Sequence, residues 1–193
     1  ILFVDVDDVA MNRVLPSGGD KPAACATMQP MGPNGGEENA HSTSSLITYG
    51  KARIAAFGDL TWNAENKLFC PVDKVGKVDV VLASHHGLQF SNSPAMVESL
   101  QPKIVLVGNA IMKGDDPERM KSYMANPRFQ SMWHLHITRN HDELDGDKNQ
   151  IANINSNPAD DKSYNLRLRI KKDGDITVIN ERNGFNKTYH AGG

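Results

Sequence analysis

The sequence predicts an α/β protein in which helices cover a mixed sheet. Apolar runs typical of strands buried on both faces, VDVVLA at 78–83 and IVLV at 104–107, alternate with segments of helical spacing. Hairpin signals at Gly50-Lys51 and Asp173-Gly174 add antiparallel strands before and after these units. The order of strands, then β-α-β-α-β-α, then strands is typical of a layered α/β architecture.

The first third of the chain combines strands with a long irregular segment. LFVDV at 2–6 and VAMNRV at 9–14 are rich in Val and predict one or two strands. From Leu15 to Ser42, Gly, Pro, Asn and Ser dominate, which predicts a loop without periodicity. The strands SLITY at 45–49 and RIAAF at 53–57 follow directly. A loop of this length is usually functional or disordered, and we expect it to border the site entrance.

Three segments in the middle of the chain carry helix start signals. LTWNAENKLF at 60–69 has helical spacing, with Thr61 as the expected N-cap and Cys70-Pro71 at its end. The pair Ser93-Pro94 places an N-cap before a first-turn proline. Asp115-Asp116-Pro117 repeats that pattern, so we expect a helix after each of the three signals.

The last third predicts strands separated by polar segments. MWHLHIT at 132–138 alternates and predicts a strand, whereas Arg139 to Asp161 is polar and predicts a surface loop around HDELDGDKN at 141–149. YNLRLRI at 164–170 and ITVI at 176–179 form the arms of the second hairpin. We expect the polar tail NGFNKTYHAGG to fray.

Composition limits the classes of partner. The 193 residues suit one domain, with 39% hydrophobic and 23% charged residues. A net charge of -2 disfavours a nucleic-acid partner, because backbone-driven binding needs a basic field. No apolar run approaches the roughly 20 residues of a membrane helix, so we expect no membrane segment. The partner we expect is a small-molecule substrate.

Cys25 and Cys70 are open to two interpretations. They are either free thiols or a disulfide, and both lie in irregular stretches beside proline or alanine. A disulfide would close a loop of about 45 residues, stabilise the fold by about 4 kcal/mol and suit a periplasmic or extracellular protein.

Two strand ends carry side chains that bind metals. Asp59 follows Gly58 where RIAAF ends, and His85 and His86 follow VDVVLA. Because the carboxyl ends of neighbouring parallel strands meet at one edge of a sheet, we expect these side chains to lie close together. A carboxylate can bridge two ions and imidazole is the commonest ligand of zinc. The pattern therefore predicts a metal site at this edge.

Each of these residues also has a structural interpretation. Asp59 could cap the helix that follows it, and the two histidines could be polar surface residues. Adjacent residues at a strand end point to opposite sides. We therefore expect one histidine to face the metal and the other to support it or to contact the substrate as a proton donor.

As an ordered series, these motifs resemble a known family. GDL at 58–60, SHHG at 84–87, SNSP at 91–94 and QPKIVLV at 101–107 resemble the C-terminal half of a metallo-β-lactamase-fold hydrolase. The branch most similar is the ComEC-like one, including exported bacterial members with GDLTWN, CPV and SHHGL in this order. The resemblance is concentrated between Asn39 and Asn109.

The resemblance implies an αβ/βα sandwich, of which residues 1–193 would form the C-terminal part as a single domain. It also implies two zinc ions, with Asp59 as the bridging ligand and His86 as a terminal ligand. His85 would be a neighbour that contacts the substrate, so Asp59 and His85 are the catalytic candidates. A metal-bound hydroxide would attack an ester, phosphoester or related bond.

One departure from the family is the absence of its principal ligand motif, HxHxDH. The one HxH, His134-Leu135-His136, follows SHHG instead of preceding it. A metal pair there is geometrically possible, because residues i and i+2 of a strand share a face, but a structural role is the alternative. His41 is likewise either a ligand or incidental.

The start at Ile1, in mid-strand and without Met, leads us to expect a chain that lacks the first half of the fold. Such a protein would be active only when the missing ligands are supplied. The alternative is a non-catalytic binding module that has lost its HxHxDH ligands.

Overall fold

The computed structural model describes residues 1–31, 37–138, 146–155, 157–160 and 162–192. Within these residues the strands form one sheet of eight and one sheet of three. In chain order the strands are β1 (Leu2–Val6), β2 (Val9–Ala10), β3 (Ser44–Tyr49), β4 (Ala52–Ala56), β5 (Val80–Leu82), β6 (Ile104–Val107), β7 (Ser131–His136), β8 (Ile151–Asn153), β9 (Leu166–Ile170), β10 (Asp175–Asn180) and β11 (Asn186–His190).

The large sheet is mixed, in the order β2-β1-β3-β4-β5-β6-β7-β8, which confirms the predicted α/β class. Strands β1 to β4 pair antiparallel, and β4 to β8 pair parallel. The small sheet is antiparallel, in the order β11-β10-β9. Because β4 to β8 run the same way and in chain order, all their carboxyl ends lie along one edge.

The helices are α1 (Glu37–Ala40), α2 (Trp62–Phe69), α3 (Pro94–Leu100) and α4 (Pro117–Met124), of which the last three connect parallel strands. Short 3₁₀ turns lie at Ala23–Ala26, Ser84–Gly87, Lys148–Gln150 and Pro158–Asp160. Helices α2, α3 and α4 follow β4, β5 and β6 in turn, as the start signals predict. No helix among the described residues has the length and apolar character needed to span a bilayer.

The protein has three layers, since the large sheet is covered on both faces. Neighbouring residues of β5 show this, because Val81 belongs to the buried cluster that contains Leu68 of α2, whereas Val80 belongs to the cluster that contains Ile176 of β10. The helices therefore cover one face and the small sheet covers the other. Both Val80 and Val81 are fully buried, as the continuous apolar run predicts.

The predicted caps of α3 and α4 are confirmed by hydrogen bonds. Ser93 Oγ accepts from the Met96 N–H at 3.3 Å, and Asp116 Oδ1 accepts from the Arg119 N–H at 3.1 Å. Thr61 is the N-cap residue of α2 in an extended conformation, without a side-chain bond to the helix.

Two strands form in the polar last third of the chain, and one of them shows that the expected fraying of the tail was wrong. Ile151–Asn153 follows the expected surface loop and forms β8, which pairs in parallel with β7. Residues 141–145 of that loop lie outside the described residues. The expected frayed tail contains β11, which pairs with five residues of β10. In β11 only Tyr189 is buried, so the strand carries no apolar alternation that a sequence pattern could show.

The long loop also has more structure than its composition suggests. Helix α1 and the turn at Ala23–Ala26 lie within it. Cys25, in that turn, forms a disulfide with Cys70 at the end of α2, which decides between the two interpretations of the cysteines. The disulfide therefore ties the loop to the helix that follows the candidate site.

Candidate functional site

A cleft of about 340 Å³ lies at the carboxyl ends of the parallel strands. It opens on the face of the large sheet that the small sheet partly covers. Asp59 and His86 are its ionisable lining residues, and the remainder is largely apolar. The lining is Ala56, Gly58, Asp59, Leu82, Ala83, His86, Leu106, Val107, Gly108, Leu135, Asn165 and Leu166.

Asp59 and His86 meet at this edge, as the strand ends predict. Asp59 Oδ1 lies 3.7 Å from His86 Nε2, and the side chains are 37% and 35% exposed. His86 Nδ1 lies 2.7 Å from the Gly108 carbonyl oxygen. Because a carbonyl can only accept, Nδ1 carries a proton, and in the neutral ring Nε2 then keeps its lone pair towards Asp59. This is how proteins orient a metal-binding imidazole.

The backbone of Gly58 and Asp59 is held by the loop that precedes β3. Gly58 has φ +59, and an added Cβ would approach Ser42 Cβ to 3.3 Å. The Asp59 N–H donates to Ser42 Oγ at 3.2 Å. Since helix α2 begins at Trp62 with Thr61 as its N-cap, the capping interpretation of Asp59 is not what the structure shows.

The turn that carries the histidines has an unusual backbone. His85 and His86 have φ of 50° and 59°, and Gly87 has φ of 79°. Left-handed conformations cost roughly 1–2 kcal/mol for each residue with a Cβ. They persist where the surroundings leave the chain no alternative. Here the His85 N–H donates to the Gly58 carbonyl at 2.9 Å, and Asn92 Nδ2 donates to the Ser84 carbonyl at 2.9 Å.

His85 lies beneath the cleft and does not line it. The residue is 6% exposed, with Nε2 3.4 Å from Asn39 Nδ2 and Nδ1 3.4 Å from Ser91 Oγ. Ser91 Oγ donates to the Leu60 carbonyl at 2.7 Å, so it accepts from His85 Nδ1. Burial lowers the pKa of His85, and the nearby charge of Asp59 opposes that effect. A catalytic role of His85 stays a prediction.

The other histidines named by the sequence have different partners. His134 is 3% exposed, and its Nδ1 lies 2.9 Å from Asp115 Oδ2. His41 is half-exposed, with Nδ1 2.7 Å from Asp7 Oδ1. In the part of the chain that the structure describes, no three His, Cys, Asp or Glu side chains group to hold a metal ion.

The pair of Asp59 and His86 fits part of a zinc site. Two ligands of one tetrahedral zinc, each about 2.1 Å from the metal, lie about 3.4 Å apart. The observed 3.7 Å between Asp59 Oδ1 and His86 Nε2 needs only a small adjustment. Catalytic zinc sites have three protein ligands and structural sites have four, so this pair supplies a portion of the site.

A buried carboxyl network supports the site from below and was missed from the sequence. Glu65 is fully buried and accepts from the N–H groups of Asn92 and Ser93, each at 2.7 Å. Burial raises the pKa of Glu65 to about 7, and these hydrogen bonds oppose the rise. The sequence did contain a signal that Glu65 is buried. Glu65 lies three residues before Leu68, so the two side chains share the apolar face of α2.

Comparisons with known proteins add no relative. No family model, no curated protein and no solved structure matches this chain.

Proposed function

We propose that this chain is part of a metal-dependent hydrolase with a metallo-β-lactamase fold of the ComEC-like branch. The observation that carries the proposal is the approach of Asp59 Oδ1 to His86 Nε2, with the imidazole oriented by the Gly108 carbonyl. The layered order of helices, mixed sheet and second sheet supports an αβ/βα sandwich. Zinc is among the metals that imidazole and carboxylate ligands bind.

The residues of the chain would divide the work between binding the metal and binding the substrate. Asp59 would offer one oxygen to each of two ions, and His86 Nε2 would hold one of them. Bound zinc supplies Lewis acidity and lowers the pKa of water. The apolar walls of the cleft, such as Leu82 and Leu106, would contact the non-reacting part of an ester or phosphoester substrate.

The proposal requires ligands beyond Asp59 and His86, and the HxHxDH motif that supplies them in the resembled family is not among the 193 residues. A second candidate function is a non-catalytic binding module of the same fold. It is favoured by one observation, namely that the described residues group no third metal ligand with this pair.

The test measures bound metal and hydrolysis separately, on protein made from the complete reading frame. We expect about two transition-metal ions per chain, and hydrolysis in a screen of generic esters and phosphodiesters that Asp59→Ala abolishes. We expect His86→Ala to reduce metal occupancy more than His85→Ala, because His85 is bonded to Asn39 and Ser91 instead.

His41→Ala is the matched control, since this histidine pairs with Asp7 and should leave the metal content unchanged. Protein without stoichiometric metal would refute the proposal. Protein that binds metal but hydrolyses nothing would favour the binding module. Equal losses in the His85 and His86 variants would refute the assignment of His86 as the ligand.

A further inference from the structure

Asp115 is a fully buried carboxylate that lies behind His86 and has no part in the proposed chemistry. Its Oδ2 accepts from Asn109 Nδ2 at 3.0 Å and lies 2.9 Å from His134 Nδ1. Its Oδ1 is buried without a hydrogen-bond partner among the described residues. Because a carboxylate accepts and does not donate, His134 Nδ1 carries the proton in this contact.

The backbone of the same segment holds the histidine turn. The Asp115 N–H donates to the His86 carbonyl at 3.1 Å, and the Asp116 N–H donates to the Gly87 carbonyl at 2.9 Å. Gly114 packs so closely that an added Cβ would lie 2.2 Å from the His86 carbonyl oxygen. The side chain of Asp115 anchors this segment to β7 through His134, so its backbone donors meet the turn at a fixed position.

The ring of His86 is held through the other partner of Asp115. Asn109 Oδ1 accepts from the His136 N–H at 3.1 Å, and Asn109 Nδ2 donates to the His136 carbonyl at 2.7 Å as well as to Asp115. These bonds continue the contact between the two segments beyond the end of β6. They fix the backbone beside Gly108, whose carbonyl accepts from His86 Nδ1.

We propose that Asp115, together with Asn109, is the positioning residue of His86. It holds both the backbone turn and the carbonyl that selects the Nδ1–H tautomer, so that Nε2 faces Asp59. The role of Asp115 in metal binding rests on the proposed function, whereas its control of the His86 tautomer does not. In this proposal the buried pair of Asp115 and His134 holds His86 in position, and His134 of the HxH sequence does not itself bind a metal.

Two substitutions at position 115 distinguish the contribution of the Asp115 carboxylate from that of its backbone N–H. Asp115 has φ 60°, a conformation that glycine and asparagine tolerate. Asp115→Gly removes both oxygens without backbone strain. Asp115→Asn retains an oxygen in the place of Oδ2 and puts an amide where Oδ1 has no partner. Asp116→Gly is the matched control, because it removes the cap of α4 and leaves Asn109 and His134 untouched.

The readout is the tautomer of His86, measured by ¹⁵N NMR of the imidazole nitrogens. We expect a proton on Nδ1 in the unmodified chain, in Asp115→Asn and in Asp116→Gly. We expect a mixture of tautomers in Asp115→Gly. A folded Asp115→Gly variant that shows the unmodified tautomer would overturn the proposal, as would an Asp116→Gly variant that loses it.

Asn109→Ala breaks the network from its other side and keeps the proposal testable if Asp115→Gly does not fold. It should produce the same mixture of tautomers, and an unchanged tautomer would count against the proposal. Zinc titration of protein from the complete reading frame gives a second measurement. We expect Asp115→Gly to weaken zinc binding about 10- to 100-fold, the usual effect of losing a residue that orients a ligand. Unmodified protein that binds no zinc would refute the proposed function, while the tautomer result would still decide the role of Asp115.

Discussion

The stability of this protein should depend on pH through Asp5, a carboxyl buried at the pairing of β1 with β3. Asp5 is 1% exposed, and neither of its oxygens has a hydrogen-bond partner among the described residues. Burial raises the pKa of Asp5 from 3.8 to about 6. The charge of Asp8 adds to this effect, and Lys67 and Lys74 oppose it. The perturbation that isolates this effect is Asp5→Asn, which removes the ionisation.

The direction in which stability changes with pH follows from the number of protons that the folded and unfolded states bind. Between about pH 3.8 and pH 6 the folded protein retains the Asp5 proton while the unfolded chain loses it, so stability falls as pH rises. At about 1.4 kcal/mol for each pH unit between the two pKa values, the full loss is about 3 kcal/mol. It is complete above the folded pKa. Part of this loss has already occurred at pH 4, so Asp5→Asn should gain about 2.5 kcal/mol relative to the unmodified protein between about pH 4 and pH 8.

Urea denaturation at about pH 4 and pH 8 measures this difference. The comparison of the two proteins at each pH cancels other groups, such as Glu65, whose pKa is also raised. The cost of burying the new amide is the same at both pH values and also cancels. Asp20→Asn is the control, because it makes the same change at an exposed position. A difference between Asp5→Asn and the unmodified protein that is equal at both pH values would refute the reasoning.

Substitutions at three sites probe other parts of the fold by urea denaturation. Gly114→Ala should lower the free energy of unfolding by at least about 2 kcal/mol, because φ is +92° and the new Cβ would lie 2.2 Å from the His86 carbonyl oxygen. Replacing Cys25 and Cys70 by Ser should cost up to about 4 kcal/mol, and a reductant should then weaken only the unmodified protein. Ser93→Ala should cost about 1 kcal/mol through loss of the α3 cap, and Ser93→Asn should restore much of it.

Local signals in the sequence predicted the helices because each signal acts within one turn. Ser93 and Asp116 lie directly before their helices and bond to the backbone three residues on. The hairpin β3–β4 was predictable for the same reason, because Gly50 permits the turn with φ +57. The apolar run of β5 predicted burial on both faces, and the second sheet supplies the second cover.

Strands that depend on distant partners could not be predicted from local pattern. Strand β8 has three residues, and Ile151 is covered from another layer, where Asn180 Nδ2 donates to its carbonyl at 2.8 Å. Strand β11 has one buried residue, Tyr189, whose hydroxyl contacts Ser131 and Trp133 of β7. These contacts join residues more than 25 positions apart, so a short window of sequence contains no trace of them.

The candidate site was predictable as a meeting of strand ends but not in its details. The proximity of Asp59 and His86 follows from parallel pairing of β4 with β5. The left-handed backbone of the histidine turn depends on Asn92, Gly58 and Asp115, which converge from three other segments. The sequence therefore indicated Asp115 only as part of a helix start, because its contact with His134 is a property of the folded chain.

The order of the two sheets along the chain has a consequence for synthesis on the ribosome. Strands β4 to β8 are made before β9, β10 and β11, which cover Ile54, Val80, Ile104 and Trp133. At 5–20 residues per second, the interval between completing β8 and completing β11 is roughly two to seven seconds.

During that interval one face of the large sheet is an open apolar surface on a nascent chain. The exposure ends when the small sheet packs against this face. Two hydrogen bonds then join the last residues to the rest of the chain: Lys103 Nζ donates to the His190 carbonyl at 2.7 Å, and the Gly192 N–H donates to Asp79. A ribosome-associated chaperone that binds apolar strands would have its target in this window, and stalling downstream of β8 would prolong the exposure.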